Sequence, residues 1–256
     1  MIRIKRGLDL PIAGAPEQAV ADSLRSRSVA LLGSDYVGMK PTMLVQVGDK
    51  VRLGQALFTD KKNPRVSYTA PASGTVSAIN RGYQRRLLSL VIDTDQDEQE
   101  PAENFPTHDS EQLDDLPRDQ VVETLLKSGL WTSLRQRPYS KVADPAATPR
   151  AVFINAMDSN PLAADPDPVI ADELMSFLDG VSVLSNLPEE KLYLCYGSED
   201  KAALGQQDYP ANVVLQQFKG PHPAGIPGTH IHYLRPAGVN SAVWYLNYQD
   251  VIAIGK

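Results

Sequence analysis

The 256-residue sequence holds one cysteine, Cys195. That excludes an intrachain disulfide and leaves no ligand set for a cysteine-bound iron–sulfur cluster or a zinc knuckle. The residue lies in the apolar run Leu192-Tyr193-Leu194-Cys195-Tyr196, where a buried structural thiol is expected. Long apolar stretches are missing as well: no run approaches the roughly 18 residues needed to cross a bilayer. The opening Met1-Ile-Arg-Ile-Lys-Arg6 is too charged and too short for a secretory leader. A soluble protein of a reducing compartment is expected, whatever membrane it rests on. Nor is there a surplus of positive charge. Lys and Arg number 25 against 31 Asp and Glu, for a net charge of −6, and no long basic block occurs, so a nucleic-acid partner is not expected. Arg25, Arg27 and Arg85-Arg86 read as solvated surface. Catalytic signatures are absent in turn: the chain has no G-x-G-x-x-G, no P-loop and no G-x-S-x-G elbow.

What is present is a chain with 42% hydrophobic and 22% charged residues, the balance of a globular protein. Its most patterned stretch is Pro41–Gly82. Val45-Gln46-Val47 meets a Gly48-Asp49 turn before Val51, and a Gly54-Gln55 turn leads into Ala56-Leu57-Phe58. After the polar Asp60-Lys61-Lys62-Asn63-Pro64, the segments Ala70-Pro71 and Ser73-Gly74 turn into Thr75–Ile79. Short alternating runs broken by glycine at nearly even spacing describe a small all-β sandwich or barrel. The pattern resembles the lipoyl/biotinyl-type barrel-sandwich hybrid. In lipoyl domains a lysine in a D-K-A turn carries a swinging arm, and Thr59-Asp60-Lys61 resembles it. Lys61 comes only seven positions after Gly54, too soon for the full strand that precedes a modified lysine, and Asn63-Pro64 is expected to replace the tight hairpin. Lys61 and Lys62 therefore read as solvated loop residues, with a lysine-acylated carrier kept as an alternative.

A basic strand-like start, the turn Leu10–Gly14 and a strand at Ser28–Leu32 precede this stretch, and Leu87–Ile92 closes it. Asp93–Pro101 reads as an acidic linker. Beyond it the period changes. Pro117 opens a helix in which Val121, Val122, Leu125 and Leu126 recur until Gly129. Strands are expected at Arg150–Ile154, Lys191–Tyr196, Val213–Phe218 and Val243–Leu246. From Asp167-Pro168, the stripe Ile170, Leu174, Phe177, Val181 and Leu184 predicts one unbroken helix to about Asn186. Alternating strands and helices argue for a mostly parallel sheet. The expected class is α+β multidomain, with a barrel-sandwich hybrid over 1–95 followed by a Rossmann-like α/β domain over 96–256. The last residues, Val251-Ile-Ala-Ile-Gly-Lys256, fall inside an apolar periodic segment, so the natural protein is expected to continue.

No catalytic constellation emerges. His230 and His232 would share a face on a strand and diverge on a helix starting near Thr229. His222 stands upstream, no carboxylate or cysteine lies close, and no metal site is expected. Asp158, Asp165 and Asp167 lie in Pro-rich company suited to turns and helix caps.

Several longer motifs resemble one family. They are Ile4-Lys-Arg-Gly-Leu-Asp-Leu-Pro-Ile-Ala-Gly14, Tyr36-Val-Gly-Met-Lys-Pro41, Asn155-Ala-Met-Asp158 with Asn160-Pro-Leu-Ala-Ala-Asp165, Gly220-Pro-His-Pro-Ala-Gly225, Gly228-Thr-His-Ile-His232 and Leu246-Asn-Tyr-Gln-Asp250. The family is that of the A subunits of the bacterial sodium-translocating NADH:ubiquinone reductases. The resemblance implies an oxidoreductase and translocase component, peripheral on the cytoplasmic face of the inner membrane and docked on membrane subunits that carry flavins. It also implies distant kinship to flavin mononucleotide-binding subunits. Where those carry a Gly-rich phosphate loop and an acidic N-A-x-E-x-E-P loop, this chain has Ser128–Val142 and Asn155–Pro161. Trp131, Leu134 and Arg135 replace the glycines, and Asn160 stands at the second glutamate position. Neither flavin nor iron–sulfur is therefore expected in this chain, and no covalent cofactor, although a flavin-binding redox subunit stays open as an alternative. Ubiquinone, associated with the family, is the expected ligand. It needs an apolar slot and a few donors, which Leu32, Tyr36 and Met39 on one stretch and Trp131, Leu134 and Arg135 on another could supply.

Overall fold

The computed structural model describes residues 1–14, 17–19, 26–95, 102–197, 202–239 and 241–256. Two small antiparallel sheets face each other in the first half. One orders its strands as β2 (Ser28–Leu32), β8 (Leu87–Thr94), β7 (Gly74–Arg81) and β4 (Lys50–Val51). The other orders them as β3 (Pro41–Met43), β5 (Ala56–Asp60) and β6 (Asn63–Thr69). Inward residues of both, including Leu31, Leu57, Phe58, Val76, Leu90 and Ile92, bury against one another. Each contributes about 1.5–3 kcal/mol relative to exposure.

Two expectations fail here. The run Val45–Val47 is irregular, and the strand lies earlier, at β3. The Asp49 carboxylate accepts from the Gln46 backbone N–H at 2.9 Å while Gln46 O accepts from the Asp49 N–H at 3.2 Å, so the segment closes into a turn. Between Asp60 and Asn63, where the sequence argues against a tight hairpin, the chain forms one. Strands β5 and β6 pair at Asp60 and Asn63, leaving Lys61 and Lys62 alone at the tip. Asp60 Oδ1 holds the turn by accepting from the Lys62 N–H at 3.0 Å and the Lys40 N–H at 3.3 Å. The carboxylate supplies a local closure that strand length alone does not reveal.

The second half is a seven-stranded sheet in the order β1 (Ile2–Arg3), β13 (Val213–Lys219), β12 (Lys191–Tyr196), β11 (Ala151–Ala156), β14 (Val243–Asn247), β9 (Arg135–Arg137) and β10 (Lys141–Val142). The first five are parallel, and β9 and β10 add an antiparallel edge. All six residues of β11 are buried, as befits a central parallel strand covered on both faces. Ile2 and Arg3, which the expected 1–95 unit assigns to the barrel, pair here instead: Ile2 lies beside Phe218 and Arg3 beside Lys219. Of the expected linker, Asp93 and Thr94 complete β8. Residues 96–101 lie outside the described residues, as does Arg25.

Helices α1 (Arg118–Ser128), α2 (Pro166–Asp172), α3 (Leu174–Ser185), α4 (Ala202–Gly205), α5 (Pro227–Leu234) and α6 (Tyr248–Gly255) complete this half. Gly129 closes α1 in the left-handed region, φ 81°. The single helix expected to Asn186 is two. Glu173, at φ −121° and ψ 34°, breaks it, and its carboxylate is drawn to Lys256 Nζ at 2.5 Å and Ser176 Oγ at 3.4 Å. Apolar periodicity survives the kink, which is why the pattern does not show it. Gly180, by contrast, is fully helical and lets α6 cross close by: a Cβ there would lie 2.1 Å from the Val251 carbonyl oxygen.

Candidate functional site

The two halves meet along a seam of short, specific contacts. Thr69 Oγ1 on β6 donates to Ser128 O at 3.1 Å, and Asn63 Nδ2 donates to Asp144 Oδ1 at 3.3 Å. Arg65 pairs with Glu123. One apolar core runs through both halves.

Across this seam the structure brings together Tyr36 and Arg135, two of the residues expected to meet a quinone. The turn Gly33–Asp35 follows β2 and delivers Tyr36, half-buried, to the edge of β6. Its ring meets the Tyr68 ring edge-on at 4.6 Å, and Tyr68 stacks on Phe58 at 4.6 Å. From the other half, Arg135 opens β9 and places its guanidinium 5.2 Å from the Tyr36 centroid while donating to Asp35 O at 2.9 Å. Met39 is half-buried against the core, and Leu32 is exposed at the end of β2. Trp131 and Leu134 lie apart from this rim. Both are wholly buried: Trp131 packs edge-on against Trp244 at 5.3 Å and gives its indole N–H to Ala143 O at 2.9 Å. Both belong to the apolar core.

Sequence reasoning misses four members of this group. Asp35 supplies its carbonyl, Tyr68 and Trp244 supply buried rings, and Asp250 faces Arg135 electrostatically from the start of α6. Burial pushes the Asp250 carboxyl up, while the Asn247 N–H and the Arg135 charge pull it back. Burial raises Tyr36 and Tyr68 too, Arg135 opposing both. The Tyr68 hydroxyl and the Trp244 indole N–H are enclosed without a hydrogen-bond partner among the described residues. The Tyr68 hydroxyl, an unused donor beside the Tyr36 ring, suits an apolar molecule carrying carbonyl oxygens. The N-x-x-D pattern of Asn247 and Asp250, a capping box in the structure, is the one sequence signal for this group.

The crevice that doubly wound sheets offer to nucleotides lies between β11 and β14, where the strand order reverses. Here the β11–α2 loop contains no glycine. Asp158 and Asp165 act on the phenol of Tyr248, which burial first and their charges second push upward. A phosphate would meet carboxylates instead of a backbone cradle. Asp165 caps α2, its Oδ1 accepting from the Asp167 N–H at 3.0 Å, and Asp158 Oδ1 accepts from the Asn160 N–H at 2.8 Å, the turn and cap roles expected.

The histidines diverge on α5. His230 is buried, lies tilted against Phe218 with centroids 4.3 Å apart, and donates from Nε2 to Ala224 O at 2.8 Å. Burial lowers its pKa to about 4. His232 lies edge-on to Tyr233. His222 joins two of the family-like motifs: its Nδ1 bonds Ser159 at 3.0 Å, Ser159 Oγ accepts from the Gly225 N–H at 2.9 Å, and the His222 N–H is held by Asp9 Oδ1 at 2.8 Å. Cys195 is fully buried and burial raises its thiol far above the ordinary range. Among the described residues no three His, Cys, Asp or Glu converge as a metal site, and no helix is long and apolar enough to cross a membrane.

Comparison with known proteins agrees with both halves. The pattern of the NqrA N-terminal barrel-sandwich hybrid domain matches residues 2–95, and that of the NqrA second alpha/beta domain matches 116–256. The chain is similar to the A subunit of the Na(+)-translocating NADH-quinone reductase of Pseudomonas aeruginosa (strain UCBPP-PA14), at 57% identity over 256 residues. Proteins of the same name from Yersinia pestis and Photorhabdus laumondii are 53% and 51% identical over the same span. In each case all of this chain is covered but 56% of the relative, so the chain spans little more than half the length of these curated proteins. Barrel-sandwich, α/β sheet and the joined motifs lead to one conclusion: the chain belongs to the NqrA family, the A subunits of the sodium-translocating NADH-quinone reductases.

Proposed function

We propose that the chain serves as a peripheral part of a sodium-pumping NADH:ubiquinone reductase on the cytoplasmic face of the membrane. It docks on the membrane subunits, holds no cofactor of its own, and touches ubiquinone at the seam of Tyr36 and Arg135. The observation that supports this reading is the enclosed Tyr68 hydroxyl, without a hydrogen-bond partner among the described residues, under the Tyr36 ring that Arg135 faces. Leu32, Tyr36, Met39 and Arg135 form the contact, while Trp131 and Leu134 support it from the core. The carboxylates Asp158 and Asp165 at the strand-order reversal favour a cofactor-free sheet, and the isolated chain is expected to be inactive. A photoreactive quinone analogue should label the seam and lose most of its labelling in Arg135→Ala. Labelling confined to other surfaces would sink the quinone reading, and a purified protein with flavin absorbance would sink the cofactor-free one.

One observation favours a second reading, a lysine-acylated carrier: Lys61 and Lys62 occupy the tip of a tight hairpin. That hairpin is tied back, however, by Lys61 N–H to Lys40 O at 2.7 Å and by Asn63 to Asp144, which suits a platform better than a swinging arm. Intact-mass measurement after native purification decides, with the unmodified mass expected.

A further inference from the structure

We infer that the β7–β8 loop, Arg81 to Arg86, is a contact for the headgroups of an anionic lipid bilayer. The inference rests on the peripheral reading above and names the surface and chemistry of the contact. Four features converge on the loop. Tyr83 stands at its tip and is 88% exposed. Arg81, Arg85 and Arg86 surround it, all exposed, and none pairs with a carboxylate among the described residues. From Gly74 to Ile92 the sequence has these three arginines and no Asp or Glu, in a chain whose net charge is −6. The positive charge is therefore local, and it would orient the molecule toward a negative surface.

The backbone is also shaped for this presentation. Gln84 and Arg85 are both left-handed, at φ 55° and 60°, although neither is glycine. Two consecutive non-glycine residues in that region are strained, and such strain persists where the surrounding structure imposes it. Arg81 Nη1 braces the turn by donating to Arg85 O at 3.1 Å.

Beside the loop the ladder slips. Asn80 pairs with Ser89 and Arg81 with Leu87, so Leu88 is skipped in a β-bulge and left 45% exposed, resting against Gly82. Leu32, paired across from Ser89 and equally exposed, lies on the adjoining strand. An exposed tyrosine, two exposed leucines and three arginines at this end of the barrel combine the apolar and cationic chemistry of a membrane interface. Leu32 also leads into Tyr36, so the same end of the barrel joins the lipid contact to the seam through which a membrane-dissolved quinone would approach.

Co-sedimentation of the full chain with vesicles tests this. Binding is expected to vesicles of equal parts phosphatidylcholine and phosphatidylglycerol, falling with added salt, and not to phosphatidylcholine alone. Reversing Arg81, Arg85 and Arg86 to Glu together should reduce partitioning on the order of a hundredfold or more, about fivefold per arginine lost. Tyr83→Ser should reduce it a few-fold, about as expected for one interfacial aromatic. Thermal unfolding of Tyr83→Ser should match the parent, and Arg85→Glu with Arg86→Glu, which leaves the Arg81 brace in place, should lose binding with unfolding unchanged. Absence of binding by the parent, equal binding to both vesicle types, or an unaffected triple variant would overturn the inference. So would a triple variant that keeps vesicle binding but loses co-purification with the other reductase subunits, because the loop is then a protein contact and peripheral docking stands. Failure of the parent itself to co-purify would instead count against the docking reading.

Discussion

Among the described residues His230 meets no acidic partner and bonds a carbonyl, so its neutral ring is the native form. Its pKa of about 4 lies below the ordinary 6.5. As the pH falls, the unfolded chain takes up that proton first. Stability is thus intact above about pH 6.5 and is lost as the pH drops toward 4, by a few kcal/mol at most. Urea titrations of the parent and of His230→Gln at pH 7 and pH 4.5 should diverge at the lower pH, the variant losing less; parallel shifts would contradict the assignment. Trp131 makes a second residue-level case. Removing its ring to alanine empties a fully enclosed site and orphans the Ala143 carbonyl, for an expected loss of about 3–5 kcal/mol. The apolar runs and the Trp131, Leu134 and Arg135 cluster are conspicuous in the sequence, but the division of labour within that cluster is not. Rim and core differ here only by which way β9 leaves the turn at Leu130–Ser133, and no local pattern encodes that.

At the scale of elements, the crossing of α3 and α6 depends on small side chains at the point of contact. Gly180→Ala would drive a methyl into the Val251 carbonyl and is expected to cost about 1–3 kcal/mol. Gly205→Ala, with open space around it, should change the midpoint of denaturation little. Equal effects would show that helix propensity, not the crossing, governs the first site. Much of the element order is legible because burial imposes period: β2 and β12 lie where alternation and apolar runs place them, and α1 ends at its glycine. The failures have a common cause. The kink at Glu173, the turn at Gln46–Asp49 and the hairpin at Lys61-Lys62 are each set by a single carboxylate reaching a nearby backbone or side-chain donor, and hydrophobic periodicity is blind to such bonds. The antiparallel pair β9 and β10 escapes notice because two- and three-residue strands carry no period at all.

For the whole molecule, the continuous core implies that barrel and sheet unfold together. Both tryptophans, Trp131 and Trp244, belong to the α/β half, so their fluorescence reports that half while far-ultraviolet circular dichroism reports both. The two denaturation curves are expected to superimpose; a barrel transition separated from the tryptophan signal would show that the seam is weak. The pairing of Ile2 and Arg3 with the end of β13 has a further consequence during synthesis. Ile2 and Arg3 wait for partners made more than two hundred positions later, on the order of ten to forty seconds at ordinary elongation rates. In that interval every contact of the barrel is already available, while the outer edge of the sheet has not been made. A nascent chain stalled before Val213 should therefore leave Ile2 and Arg3 open to protease, since the strand they pair with is not yet made. Release of the pause should then protect them as β13 is completed.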